Sequence, residues 1–223
     1  DPQKDGGVSK VLDALNIFSE KKIVENEIIV LRSSSLMQQV VKSLNLYATV
    51  YNQGKVQKEE LYGSNSPVAF VALQKDSIRG GGRYEFDIDW RNERVSIAGK
   101  SVPFNGIIQI AKTDYQVVIN PEYSRNLSGK NYYVVFSTVQ TAAARVIGTL
   151  KATPLSYAST VIDLRLETPI QEKGINILNK LFEVYNREGI EDKNQIATKT
   201  LAFIEDRLTT VIGQLDSVES SIK

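Results

Sequence analysis

The chain has 223 residues, 42% hydrophobic and 24% charged, enough for one well-buried core with an extended appendage and tight for two independent domains. Its 27 Lys and Arg balance 26 Asp and Glu with no dense basic cluster, which argues against a nucleic-acid partner. Cysteine and histidine are both absent, which excludes disulfides, thiolate or imidazole metal ligands and Ser-His or Cys-His nucleophile pairs, so catalysis would need carboxylate, Lys or Tyr chemistry. No apolar run approaches the roughly 18 residues that span a bilayer, and the polar opening "DPQKDGGVSK" is not a signal peptide.

In chain order, "VSKVLDALNIF" places Val8, Val11, Leu12, Leu15 and Ile17 at helical spacing. "EKKIVENEIIVLRSSSLMQQVVKSLNL" continues that period through Ile23, Ile28, Leu31, Leu36, Val40, Val41 and Leu44. The serines at 33–35 predict two helices hinged there, with a serine as N-cap and an end at Asn45.

From Tyr47 the pattern changes to short β-branched and aromatic runs: "YATVYN", "EELY", "PVAFVAL", "RYEFDIDW", "RVSIA", "GIIQIA", "YQVVIN" and "NYYVVFST". These predict a mostly antiparallel sheet, with "VPFN" as a connection and "SIRGGGR" as a glycine hairpin turn. "TVQTAAARVIGTL" returns to helical spacing through Val139, Ala142, Ala143, Val146 and Ile147, with Gly148 as C-cap. "LKATP" and "STVIDLRLE" read as two more strands.

From Pro169, read as a first-turn proline, one helix is predicted to the end across Gly174, Gly189 and Gly213, roughly 80 Å long. Its second half carries a seam of Ala197, Leu201, Ile204, Leu208, Val211, Leu215, Val218 and Ile222, in alternating steps of four and three. That is the heptad pattern of helix against helix, and in a parallel coiled coil it would favour assemblies above a dimer.

The predicted fold class is α+β: a mostly antiparallel sheet with N-terminal helices and one very long C-terminal helix. A base domain is expected over 1–168, with helices in 8–45, a strand-rich part in 47–138, and a helix and strands in 139–168. The long helix takes 169–223.

Few residues invite chemistry. Gly80-Gly81-Gly82 and Ser128-Gly129-Lys130 both lack the rest of a Walker pattern. Glu85, Asp87 and Asp89 share one strand face, a candidate Mg²⁺ or Ca²⁺ row or acid/base pair, or simply a solvated face opposite Phe86, Ile88 and Trp90. Trp90, Tyr84, Tyr132 and Tyr133 are candidate sugar-stacking aromatics, Tyr84 and Trp90 chief among them, although strand aromatics more often pack in cores. No catalytic, cofactor-binding or metal-binding residue is assigned. The candidate interface or helix-packing residues are Leu31, Leu36, Val40 and Leu44 with the seam residues Leu201, Ile204, Leu208, Val211, Leu215 and Val218.

Several segments together resemble a known family. "ENEIIVLRSSSLMQQVVKSLNL" is similar to the N-terminal motif of Wzz-type chain-length-determinant domains, and "LYGSNSPVAF" to the strand that follows in them. "LKATPLSYASTVIDLRLETPIQEKGINILNKLFEVYNREGIEDKNQIATKTLAFIEDRL" resembles the family's closing block. The resemblance covers 20–73 and 148–223, while 74–147 matches only in being strand-rich and then helical.

This family is the polysaccharide co-polymerases, including the branch with a bacterial tyrosine kinase. The resemblance implies a periplasmic domain at the inner membrane, held between two transmembrane helices beyond the ends of this sequence and assembled as a homo-oligomer. Its implied partners are polysaccharide polymerase and export machinery, with an outer-membrane exporter as a further partner. In the kinase branch a cytoplasmic kinase with Walker motifs lies outside this chain. The rival readings are a periplasmic adaptor of an export system and a carboxylate-based glycan hydrolase centred on Asp87 and Asp89.

Overall fold

A computed structural model describes residues 23–54, 58–121, 123, 131–156 and 159–222, with the side chains of the last helix as far as Gly213. The predicted helix at 8–17 and the Ser128-Gly129-Lys130 turn lie outside the described residues. The chain divides into two compact units, residues up to Leu181 and residues from Phe182 onward, the division falling within the long helix.

The described part of the first unit opens with helix α1 (23–31) and helix α2 (Ser34–Leu44), separated at Arg32 and Ser33. Ser33 is the α2 N-cap, its hydroxyl accepting the Leu36 N–H at 3.3 Å. Asn45 closes the helix in the left-handed conformation at φ 55°, its N–H donating to the Val41 carbonyl. The predicted apolar period is buried at Leu31, Leu36, Val40 and Val41, which Met37 joins at 0% exposure, whereas Ile23 at the start of α1 is 58% exposed and Ile28 and Leu44 are half-buried. Ser33→Ala is expected to lower stability by about 1 kcal/mol in a denaturant titration, because it leaves the Leu36 N–H without its acceptor.

Two antiparallel sheets follow. Six strands run in the order β2 (Lys58–Leu61), β1 (Ala48–Gln53), β9 (Asn131–Phe136), β4 (Gly82–Asp89), β5 (Arg94–Ile97) and β6 (Lys100–Pro103). Three run in the order β3 (Val68–Ala72), β8 (Thr113–Ile119) and β7 (Ile107–Ile110). The sheets face each other through Phe70, whose ring meets Phe86 at 5.6 Å and Phe136 at 5.4 Å, and through Tyr115, 4.6 Å from Phe136. Alternation along each strand puts these residues on the inner faces while charged residues stand outward.

Three expectations within the first 150 residues need correction. "SIRGGGR" is no hairpin turn: β3 and β4 belong to different sheets, so the segment is a crossover between them. It is packed in place, the Arg79 N–H donating to Thr113 Oγ1 and the Gly81 N–H to the Phe136 carbonyl. "VPFN" is partly strand, since Val102 and Pro103 pair with Val95 and Arg94; a proline is tolerated there because β6 is an edge. Gly148 does not cap helix α3 (Val139–Thr149), which continues to Thr149 and passes at Leu150 directly into strand β10 (Leu150–Pro154).

β10 pairs with β11 (Ile162–Leu166) as a separate hairpin. Helix α4 then runs without a break over the 52 residues Gln171–Ile222. Pro169 precedes the first helical residue rather than occupying the first turn. Gly174 is a packing position: a Cβ there would lie 2.8 Å from Thr168 Cγ2. Ile177 and Leu181 are the buried apolar side chains of the α4 segment in the first unit.

Two buried tyrosines differ in hydrogen bonding. Tyr47 accepts the Ala72 N–H at 2.8 Å and donates to Asn45 Oδ1 at 2.8 Å. The Tyr115 hydroxyl has no hydrogen-bond partner among the described residues; the neighbouring Thr113 hydroxyl is engaged by the Arg79 N–H and the Ser77 carbonyl. Tyr47→Phe is therefore expected to cost about 1–3 kcal/mol by stranding a buried N–H, whereas Tyr115→Phe is expected to be neutral or stabilising.

Burial pushes the Tyr47 hydroxyl up from 10.0 to about 12 and also raises Tyr115 and Tyr132. A raised native pKa means that the unfolded chain loses the proton first. The stabilisation is intact below pH 10 and is lost as pH rises through about 12 for Tyr47. Denaturant midpoints measured from pH 8 to 12 should fall steeply only above 10, and less so in Tyr47→Phe.

Candidate functional site

The carboxylate row is a surface feature of β4. Glu85, Asp87 and Asp89 are exposed, and two-residue spacing separates neighbours by roughly 7 Å. Asp89 accepts the Arg91 and Asn92 N–H groups at 3.0 Å and the Asn92 side-chain amide at 2.7 Å. Those bonds hold its carboxyl below the usual range and identify it as the cap of the β4–β5 turn. Arg94 pairs across from Asp89, and Arg83 bonds Glu85. Among the described residues no group of three or more acidic side chains converges to hold a metal ion.

The aromatics proposed for stacking are engaged in packing. Trp90 is half-buried between Phe104 at 5.6 Å and Tyr123 at 6.5 Å, the latter stacked at 11°. Tyr84 lies edge-on to Phe136 at 6.1 Å. Tyr132 stacks on Phe86, its hydroxyl 3.0 Å from that of Tyr123. Tyr133 stacks on Tyr51, at 5.0 Å and 12°, and the Arg83 guanidinium lies over its ring, 3.8 Å from the centre.

The root of α4 collects polar side chains from distant parts of the sequence. Glu172 Oε2 accepts the Ser64 N–H at 3.3 Å and its hydroxyl at 2.9 Å. Lys173 forms a half-buried ion pair with Glu60 of β2, and Asn176 donates to the Tyr62 hydroxyl at 3.4 Å. The Asn120 amide holds the same loop through the carbonyls of Gly63 and Ser66, both at 3.1 Å. Gly63 is required twice over: its φ is +55°, and a Cβ there would lie 1.9 Å from Glu172 Oε1. Gly63→Ala is expected to cost about 1–3 kcal/mol from left-handed strain and displacement of Glu172, seen as a lower denaturant midpoint.

Three hollows surround this root. An apolar one of about 240 Å³ lies between β1, β3 and β8, lined by Val50, Leu61, Val68 and Phe70. Another of about 220 Å³ lies under α3, beside Thr49, Arg145 and Val146. The largest, about 880 Å³, is an open polar cleft bounded by Tyr51, Lys58, Glu59, Glu60, Asn65 and residues 169–172. Asp87 and Asp89 line none of the three.

The candidate interface residues separate into two groups. Leu31, Leu36 and Val40 are core residues at 4% exposure or less, and Leu44 is half-buried, so this face is occupied by the first unit's own packing rather than offered to a partner. In the second unit Leu201 and Leu208 are 61% exposed, Ile204 52% and Val211 49%. Ile190, Ile196 and Phe203 are exposed as well. The side chains of Leu215 and Val218 lie outside the described residues.

Sequence reasoning missed Tyr51, Glu60, Glu172 and Lys173. Tyr51 had only the signal of an aromatic in a strand, and the others were ordinary charges whose convergence requires a strand, a short turn and a helix more than a hundred residues apart. No described helix is long and apolar enough to cross a membrane. Compared with known proteins, the chain matches no family model and no curated protein.

Proposed function

We propose that this chain is a non-catalytic scaffold, the extracytoplasmic domain of a polysaccharide co-polymerase of the chain-length-determinant kind. It self-associates at the inner membrane and regulates the length or export of a capsular, exo- or O-antigen polysaccharide. The observation that carries the reading is the exposed seam of α4: four large apolar residues at heptad spacing, each about half or more exposed. Such a stripe on a helix is a surface for a second helix, because each buried leucine or isoleucine adds about 1.5–3 kcal/mol.

The segments that carry the family resemblance support it. They form α1 and α2, strands β1 to β3, and the β10–β11 hairpin that leads into α4. A cytoplasmic tyrosine kinase beyond this sequence belongs to the same proposal.

The test is the intact protein purified in lipid nanodiscs and weighed by light scattering, together with the polysaccharide length distribution of cells that lack it. A closed oligomer and an altered length distribution are expected. A strict monomer at cellular density, with unchanged polymer, would remove the reading.

A further inference from the structure

The β10–β11 hairpin stands apart from both larger sheets, and among the described residues neither of its strands pairs with a third. A two-stranded ribbon is marginal in water, and an open strand edge is a template for another strand. Two hydrogen bonds fix which backbone groups the hairpin uses: the Leu155 N–H donates to the Val161 carbonyl at 2.9 Å, and the Glu167 N–H to the Thr149 carbonyl at 3.1 Å. Bonded residues alternate along an antiparallel pair, so the odd-numbered residues bond across the hairpin. The N–H and C=O groups of the even-numbered residues face outward at the two edges.

The edges differ. On β10 the outward set is Leu150, Ala152 and Pro154. The Leu150 N–H is already spent on the Ile147 carbonyl at the end of α3, and Pro154 has no N–H, so that edge is blunted. On β11 the set is Ile162, Leu164 and Leu166, with every donor present, and no other backbone hydrogen bond among the described residues reaches them. Their half-buried side chains extend the inward apolar face of Leu150 and Ala152. Asp163 and Arg165 stand on the opposite face, ion-paired at 2.8 Å.

The strand Ile162-Asp163-Leu164-Arg165-Leu166 is complementary to itself. Laid antiparallel on a second copy about Leu164, it sets Leu164 opposite Leu164 and Ile162 opposite Leu166, each pair with its backbone groups turned toward the other strand. Asp163 then falls opposite Arg165 twice, in the non-hydrogen-bonded pairs where side chains stand closest. The adjacent registers that keep the same bonding groups centre on residue 163 or 165. They set Asp163 against Asp163 or Arg165 against Arg165, like charges directly opposed. Backbone phase, apolar face and charge therefore select one register.

We infer that β11 is a two-fold pairing edge that takes β11 of a second copy of this chain, joining two hairpins into one four-stranded antiparallel sheet. The contact is isologous and closes at a dimer. It adds a second surface to the self-association proposed above but rests on β11 alone, so it holds or fails independently of the α4 seam.

The test is sedimentation of the 223-residue chain carrying Leu201→Gln/Leu208→Gln, which removes association through α4. A monomer–dimer equilibrium in the micromolar range is expected. Asp163→Arg and Arg165→Asp, added singly, should each weaken it tenfold or more, because each opposes like charges at both close pairs. An equimolar mixture of those two single variants should restore the dimer, since each then supplies the charge that the other lacks. Both positions lie on the outer face, where a broken ion pair costs folding little. A monomer at every concentration, a dimer indifferent to both variants, or no dimer in the mixture would overturn the inference. So would a monomer whose Leu164 amide resists hydrogen exchange, which would place another segment on this edge. The mass of the intact protein with its seam unaltered reports separately on the scaffold reading.

Discussion

Phe136→Ala is expected to destabilise the first unit by about 3–5 kcal/mol, the range for deleting a fully buried aromatic from a core that relaxes only in part. Phe136 is 2% exposed and holds both sheets together, with Phe70 at 5.4 Å, Tyr115 at 4.6 Å and Tyr84 at 6.1 Å. No rearrangement of a single neighbour fills the void, because those rings come from three different strands. With a total stability of about 5–15 kcal/mol typical of a domain, such a loss moves the denaturant midpoint far or abolishes folding. Phe203→Ala is the control. Phe203 is 64% exposed, so its loss should change stability by no more than about 0.5 kcal/mol. Equal effects at the two positions would contradict the packing described for the first unit.

The second large effect concerns α4. The double variant Leu201→Gln/Leu208→Gln is expected to leave the fold of the first unit unchanged while abolishing self-association of the intact protein through α4. Both leucines are 61% exposed in the single chain, so polar substitution costs the isolated fold little. In an assembled seam each buried leucine would contribute about 1.5–3 kcal/mol. Losing two per chain therefore weakens association by about a hundredfold or more. Light scattering of the intact protein gives the readout, with circular dichroism to confirm that helix content persists. An oligomer of undiminished mass would show that the contacts lie elsewhere on the chain.

The two effects mark a division that runs along the molecule. On α2 the apolar face is spent on the first unit's own core, whereas the seam residues Leu201, Ile204, Leu208 and Val211 of the second unit, of the same type and at the same regularity, remain in solvent. Periodicity alone cannot separate these cases. Leu36 and Val40 on α2 and Leu201 and Leu208 on α4 all follow helical spacing and were equally good interface candidates. The first pair is covered by its own unit, whereas nothing among the described residues covers the second.

Where the chain's instructions are local, the sequence was sufficient. Ser33 and Asn45 bound α2 because a hydroxyl acceptor and a left-handed residue serve their own helix ends. Alternation set the inward and outward faces of β4, since the period of two belongs to the strand itself. The α+β class and the continuous C-terminal helix followed in the same way. Strand partners did not. That "SIRGGGR" joins two sheets rather than two strands of a hairpin depends on β4 pairing with β9, some fifty residues later, and β-pairing is a non-local choice made by the whole core.

The candidate site was the least legible part. Tyr51 meets Tyr133 only because β1 pairs with β9, some eighty residues later, and Glu172 meets Ser64 only because Gly63 leaves room for a carboxylate. Sequence by itself determined which stretches become helix or strand and which faces are apolar, because backbone sterics and hydrophobic spacing act over a few residues. Tertiary structure alone decided which apolar faces are buried and which charges converge at the root of α4, because both depend on surfaces that distant segments bring together.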